Sequence, residues 1–260
     1  MTLRENGMDE GEFAGRTILI AGGTSGVGLA CARHFRDRGA TNIVLMGRNP
    51  ERGIAAQADL GCGTFLQGDA NAPASACAVV AQTEQTFGGI DALVTSTAGA
   101  ALPALLADIP IEEIPTILAD QALGPLIMAR AALPGMRSRK SGTIVSVASD
   151  AAKSATPGET IIGAAMSAIV MFSRALAMEA KRDGIRVNVA APSLIADTPI
   201  TERLMADPFS AALFGKAGRL AHLGVATAAE VAELIVFLSS DAASKITGQT
   251  ISVNGGISAV

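Results

Sequence analysis

Seven short stretches rich in apolar and β-branched residues recur along the chain, and most end in glycine, serine or threonine: RTILIAG (16–22), NIVLMG (42–47), TFLQGDA (64–70), DALVTST (91–97), GTIVSVAS (142–149), IRVNVAAPS (185–193) and QTISVNGG (249–256). Each predicts a strand. Most are apolar at successive positions rather than alternating, which is the pattern of strands buried on both faces. Between them run segments whose apolar residues return every three or four positions, predicting helices over 27–39, 76–87, 116–130 and 160–180. Strands and helices in alternation predict an α/β fold: one doubly wound, seven-stranded parallel sheet with helices on both faces. No repeat, low-complexity tract or linker divides the chain, so 15–260 reads as a single domain after a flexible lead-in over 1–14. Residues 194–224 break the alternation and carry Leu204, Met205, Phe209, Leu213 and Phe214. They follow a strand's carboxyl end, where ligands sit in such sheets. A substrate lid and a pair of helices packed on the body are both consistent with them.

Composition narrows the function. The chain has 260 residues, a net charge of −4 and an apolar share of 49%. With no basic run, it offers nothing that tracks the phosphates of nucleic acid. The N-terminus is polar and acidic, unlike a signal peptide. No apolar run reaches the roughly 18 residues that span a bilayer, so no membrane role is expected. Cys31, Cys62 and Cys77 are odd in number and lack metal-ligand spacing; they read as reduced thiols in a cytoplasmic protein, with no metal site.

The segment AGGTSGVG (21–28) follows a strand and opens a helix. Gly22, Gly26 and Gly28 allow a tight turn, and the backbone through Thr24, Ser25 and Val27 then presents N–H groups to a pyrophosphate at the positive end of the helix. This context predicts the dinucleotide-binding element of a Rossmann-like sheet, with a purely structural turn as the alternative. A carboxylate about 20 residues further on would bind the adenosine ribose of NAD. Here Gly47 stands in that place, followed by Arg48. A guanidinium suits a 2′-phosphate, favouring NADP (NADPH) over NAD; capping the strand end and stacking on adenine is the alternative for Arg48. Asp69, with Ala70 after it, ends the third strand where it can accept from the adenine amino group or serve as an ordinary loop aspartate.

These residues together resemble the short-chain dehydrogenase/reductase family over about 13–256. The family's TGxxxGxG loop is matched by Gly22, Gly26 and Gly28 with Ala21 for threonine, and its adenine-binding aspartate by Asp69. FLSSDAASKITGQTISVNGG (237–256) is similar to its closing helix, turn and last strand. RVNVAAPS resembles the strand before the nicotinamide contact, with Ser193 for the usual glycine. The resemblance implies further cofactor contacts at Ala98, Gly99, Pro192, Ile195 and Thr198. Thr198 also reads as a helix N-cap ahead of Pro199.

The catalytic half departs from the family pattern. NNAG is replaced by STAG (96–99), so Ser96 and Thr97 stand for two amides. The asparagine that holds a proton-relay water falls at Gln121. The serine that polarises the substrate carbonyl is matched by Ser149, thirteen residues before the position of the tyrosine. That position holds Ile162, the lysine position holds Met166, and the chain contains no tyrosine. The family's divergent enoyl reductases place their tyrosine seven residues before the lysine; that count lands on Glu159. In the family mechanism the phenol protonates the substrate oxygen and the ammonium lowers the phenol's pKa and holds the nicotinamide ribose. Isoleucine has no donor and methionine is at most a weak acceptor. Loss of acid–base help costs roughly 10²–10⁴ in rate.

Lys153 and Glu159 are the candidate replacements, against the reading of both as solvated loop charges. Ser149 can polarise a carbonyl or merely cap a strand end, and Gln121 can hold a water or pack. His222 lies in the lid segment and His34 on the first helix, away from the site. Two functions stay open: an NAD(P)-dependent oxidoreductase with a non-standard site, acting on a small apolar carbonyl, alcohol or alkene, and a catalytically silent NADP-binding relative. A lyase or isomerase using Glu159 or Lys153 is a third, weaker reading. The helices at 116–130 and 160–180 are apolar around much of their circumference, which one sheet face cannot bury. In the family they form the subunit interface, so the resemblance implies a homodimer or homotetramer.

Overall fold

The computed structural model describes residues 11–259. Among the described residues nine strands form: β1 (Thr17–Ala21), β2 (Asn42–Gly47), β3 (Thr64–Gln67), β4 (Ala92–Thr95), β5 (Gly142–Val147), β6 (Ile185–Pro192), β7 (Ile195–Ala196), β8 (Ala226–Thr227) and β9 (Thr250–Val253). Seven form one sheet in the order β3-β2-β1-β4-β5-β6-β9, with every neighbouring pair parallel. β7 and β8 pair separately. The direction of winding reverses between β1 and β4, which opens a crevice at the strands' carboxyl ends.

Helices α1 (Gly26–Asp37), α2 (Pro50–Leu60) and α8 (Ala228–Ser239) cover one face; α3 (Pro73–Phe87), α4 (Ile114–Arg139) and α5 (Thr160–Ala180) cover the other. The unbroken apolar run of β1 is explained by this arrangement. Ile18 and Ile20 enter the core with Phe35 and Val231, while Leu19 and Ala21 enter the opposite core with Met128 and Leu176. Alternate side chains point to opposite faces, and both faces are covered. Between β7 and β8 lie α6 (Pro199–Ala206) and α7 (Pro208–Leu220). The irregular segment at 194–224 is therefore largely helical, with each helix opened by a proline after a capping Thr198 or Asp207.

Several expected bounds move. β3 stops at Gln67, before the turn at Asp69. α4 begins earlier and ends later than 116–130, and it runs through Pro125 and Pro134. A proline inside a helix costs roughly 3 kcal/mol. Beyond Arg130 the helix continues because Ala132 and Met136 are fully buried against the sheet. α5 occupies the expected 160–180. The helix Thr160–Asp183, which includes it, is long and apolar enough to cross a membrane by length and composition. In the fold it packs on β6 and α4, with Ala165, Ile169 and Leu176 buried. Of the expected flexible lead-in, 1–10 lies outside the described residues. From Gly11 the chain is built into the body: the Phe13 N–H donates to the Arg38 carbonyl at 3.0 Å, and its buried ring meets Phe35 edge-on at 4.9 Å. Burial of an aromatic side chain contributes about 1.5–3 kcal/mol, enough to tie the segment down.

Candidate active site

The site begins where β1 runs into α1. Gly22 has φ +81°, and a Cβ there would lie 2.3 Å from the Ser96 carbonyl oxygen. A Cβ on Gly28 would lie 2.2 Å from the Gly22 carbonyl oxygen. These two glycines let β1, β4 and α1 close together, and Gly28 does not line the groove. At Gly26 the space a side chain would fill is open toward Thr198, 3.9 Å away. Ser25 is the N-cap of α1, yet its side chain makes no capping bond and the first turn carries no acid. The orphan N–H groups and positive end of α1 thus face a groove lined by Ser25, Gly26 and Val27.

At the far end of the groove is a hollow of about 110 Å³ lined by Gly22, Thr24, Arg48, Asp69 and Ala70. Arg52, from the first turn of α2, lines it too. Sequence reading missed Arg52 because α2 was not anticipated; the signal was the NPER run, in which Asn49 caps the helix by accepting from the Arg52 N–H at 2.8 Å. Among the described residues neither guanidinium has an ion-pair partner. Gly47 has a steric cause: a Cβ there would lie 2.7 Å from Thr24 Cγ2. Asp69 is fixed as a turn residue, its Oδ1 accepting from the Asn71 N–H at 2.9 Å, while its own N–H donates to Ser75 Oγ at 2.9 Å. Asn71 and Thr97 also contribute to this hollow, but Asn71 Oδ1 and Thr97 Oγ1 themselves are buried toward Gly124 of α4, without a hydrogen-bond partner.

Ser25, Ser96 and Thr97 are shared between this hollow and a second cavity of about 230 Å³. Ser149, Gln121, Glu159, Ile162 and Met166 line the second cavity, together with Ala98, Pro192, Ile195 and Thr198. Ser149 Oγ accepts from the Ala151 N–H at 3.2 Å, capping the turn Asp150–Ala152. Gln121 is buried, and its Oε1 accepts from the Gly99 N–H at 3.2 Å. Gly99 lies under that carboxamide, where a Cβ would come within 2.9 Å of Gln121 Cδ, and it does not line the cavity. Beside Ser149, Asp150 is buried and accepts from Ser258 Oγ and, at 3.3 Å, from Ser252 Oγ.

The two candidate replacement groups separate. Glu159 lines the cavity, and burial there pushes its carboxyl up to about 7, with repulsion from Asp150 adding to the effect and a hydrogen bond from Thr156 opposing it. Lys153 is outside the lining. So are both histidines: His34 sits on α1 with its Nδ1 3.2 Å from Glu233, and His222 is exposed. Thr198 caps α6, its Oγ1 accepting from the Thr201 N–H at 3.3 Å, so its structural role and its place in the cavity coexist.

The remaining wall comes from the β7–α6–α7 segment: Leu194, Ile200, Leu204 and Phe214. Two contacts hold this segment over the cavity. Arg203 donates to the Ala100 carbonyl at 2.5 Å, and the Phe209 ring fills the space beside Gly158, where a Cβ would lie 2.6 Å from Phe209 Cε1. The groove has an uncapped helix N-terminus in its middle and, at one end, two guanidiniums with no ion-pair partner among the described residues. A dinucleotide matches that set of groups.

Comparison with known proteins agrees with this geometry. The family model described as enoyl-(acyl carrier protein) reductase matches residues 21–258. The Escherichia coli (strain K12) oxidoreductase UcpA is 34% identical over 257 residues, covering 95% of each chain. The 3-oxoacyl-(acyl-carrier-protein) reductase FabG of Haemophilus influenzae is 33% identical over 249 residues, covering 94% of this chain and 98% of its own. Among solved structures, levodione reductase superposes with a TM-score of 0.88 at 26% identity, covering 94% of this chain and 98% of its own. A short chain dehydrogenase/reductase family protein gives 0.83 at 33% identity, with the same two coverages. With a dinucleotide-type groove at the switch point of its sheet and relatives matched along nearly its whole length, the chain belongs to the short-chain dehydrogenase/reductase family of oxidoreductases.

Proposed function

We propose that this protein is an NADP-dependent oxidoreductase with a non-standard active site, acting on a small, uncharged, mostly apolar carbonyl compound, alcohol or alkene. One observation carries the reading. The groove with the exposed N-terminus of α1 runs directly into a cavity that holds Ser149 and is otherwise walled largely by aliphatic side chains. Arg48 and Arg52 would hold a 2′-phosphate, the α1 N-terminus the pyrophosphate, and Thr198 and Ile195 the carboxamide end. When bound, the reduced nicotinamide supplies hydride.

The chain's own groups do the rest. Ser149 donates a hydrogen bond to the substrate oxygen. Among the described residues no lysine or arginine lines the cavity, so a substrate carboxylate or phosphate would be buried unpaired at a cost of several kcal/mol. The FabG relative is a 3-oxoacyl-(acyl-carrier-protein) reductase by name, which describes reduction of a keto group on an acyl chain, and an uncharged ketone of that kind suits this wall. The protein is taken to act as a homodimer or homotetramer in the cytoplasm. Its three free thiols suit that compartment.

The second reading is a silent NADP-binding protein. It is favoured by Ile162 and Met166 in the cavity wall, at the positions the family resemblance gives to tyrosine and lysine. One assay separates the two. NADPH consumption is followed with cyclohexanone, acetophenone and benzaldehyde, for the wild type and for Ser149→Ala. Turnover that falls by roughly 10²-fold in the variant is expected, the usual effect of removing a donor from the reacting oxygen. Firm NADPH binding with no turnover on any of the three supports the silent protein instead.

A further inference from the structure

Among the described residues, Glu159 is the one ionisable side chain that lines the reaction cavity. It stands at the N-cap of α5, one turn before Ile162, and its own side chain does not cap the helix. Ile162 and Met166, further along α5, share the lining with no proton to give, and Ser149 is in the same lining with a hydroxyl that is a poor acid alone. We propose that Glu159 is the proton donor of this enzyme, taking the place of the phenol that the chain lacks. This rests on the oxidoreductase reading above and adds the acid to it.

The step balances as follows. A carbonyl substrate accepts hydride at its carbon as the C=O π bond opens. The Glu159 carboxyl gives its proton to the oxygen, so one C–H and one O–H bond form and an alcohol is released. The carboxylate left behind regains a proton from water. In the reverse direction the carboxylate takes the alcohol's proton. The reductant is the reduced nicotinamide of the proposed function.

The surroundings suit both directions. A carboxyl lifted to about 7 is protonated in part and ionised in part at neutral pH, and an acid–base group works best near the operating pH. Asp150, on the turn before α5, repels its charge and so also disfavours ionisation. From α6 and α7, packed over the cavity, come Pro199, Ile200, Leu204 and Phe214, none of them charged. The family's lysine is unnecessary in this scheme: an ammonium there would lower the acid's pKa, and Met166 leaves it raised.

The test uses the full-length protein, with NADPH and the same three carbonyl compounds, for wild type, Glu159→Gln and Glu159→Asp. NADPH affinity is expected to stay within about twofold in both variants. In Glu159→Gln, kcat is expected to fall by roughly 10²–10⁴ and the limb of the kcat/KM profile near pH 7 to vanish. Glu159→Asp keeps an acid and is expected to recover part of the rate and a shifted limb. A readout independent of turnover is stability. The folded protein holds this proton up to about 7 and the free chain only to about 4.5. Wild-type stability relative to Glu159→Gln is therefore greatest below pH 4.5 and falls as pH rises through 7. A Glu159→Gln enzyme that keeps the wild-type rate and pH limb overturns the proposal and leaves the oxidoreductase reading standing. Wild type that binds NADPH and turns over none of the three compounds overturns both.

Discussion

Gly47 and Thr24 share one small volume. In a chain built for NAD, an acid at the end of β2 would reach the ribose hydroxyls. Here Thr24 is buried and its methyl and hydroxyl lie 2.7 and 3.0 Å from where a Cβ on residue 47 would be. Glycine is the residue that fits, and the adjacent hollow is left to Arg48 and Arg52. Gly47→Asp alone is expected to weaken both nucleotides, because its Cβ displaces the loop. Gly47→Asp combined with Thr24→Ala removes the collision and is expected to shift preference toward NADH. Comparing Kd for NADH and NADPH across the two variants checks this; equal behaviour of single and double variants would show that Thr24 exerts no such control. At this scale the glycine loop, Arg48, Asp69 and Ser149 could be read directly, because their chemistry is local. The pairing of Gly47 with Thr24 could not, since the two are brought together only when β1 and β2 pair. The separation of Glu159 from Lys153 was equally hidden: both lie within six residues of one another in a polar loop, and only the fold puts one of them in the cavity.

Among the elements, the strands of the sheet were the clearest in sequence, because burial on both faces leaves an unbroken apolar signature. α2 left almost no trace. Its buried positions are Gly53, Ala56 and Leu60, and a glycine inside a helix normally argues against one. The glycine is there because the Phe65 ring occupies the place of its side chain, with a Cβ coming within 2.2 Å of the ring carbons. β7 and β8 have two residues each, too short to show a period. The α6–α7 pair was foreseen only as one of two alternatives, and it supplies an apolar wall of the cavity. Its link to the loop after β4 is one hydrogen bond from the exposed Arg203 to Ala100. If this pair acts as a lid, Arg203→Ala is expected to raise KM for the carbonyl substrate several-fold and leave NADPH affinity unchanged. A steady-state comparison checks this; an unchanged KM contradicts a lid held at that point.

For the molecule as a whole, the topology brings the residues that line the groove to the carboxyl ends of the strands, although they are spread from position 22 to position 214 in the chain. The outer face of α5 is a second large-scale feature: Met171 and Met178 are 62% and 61% exposed. A homo-oligomer that covers them is expected, and light scattering that finds a monomer would contradict it. The groove across the sheet's switch point is proposed to take NADP in preference to NAD. The most direct measurement is a fluorescence titration of the purified protein with NADPH and with NADH, for wild type and for Arg48→Ala/Arg52→Ala. The account predicts tighter binding of NADPH, and a loss of roughly 10-fold or more in the double variant for NADPH alone, as expected when charge-assisted hydrogen bonds of about 1.5–3 kcal/mol each are removed. No binding of either nucleotide at high micromolar concentration, or equal binding of both that the substitutions leave unchanged, would contradict it.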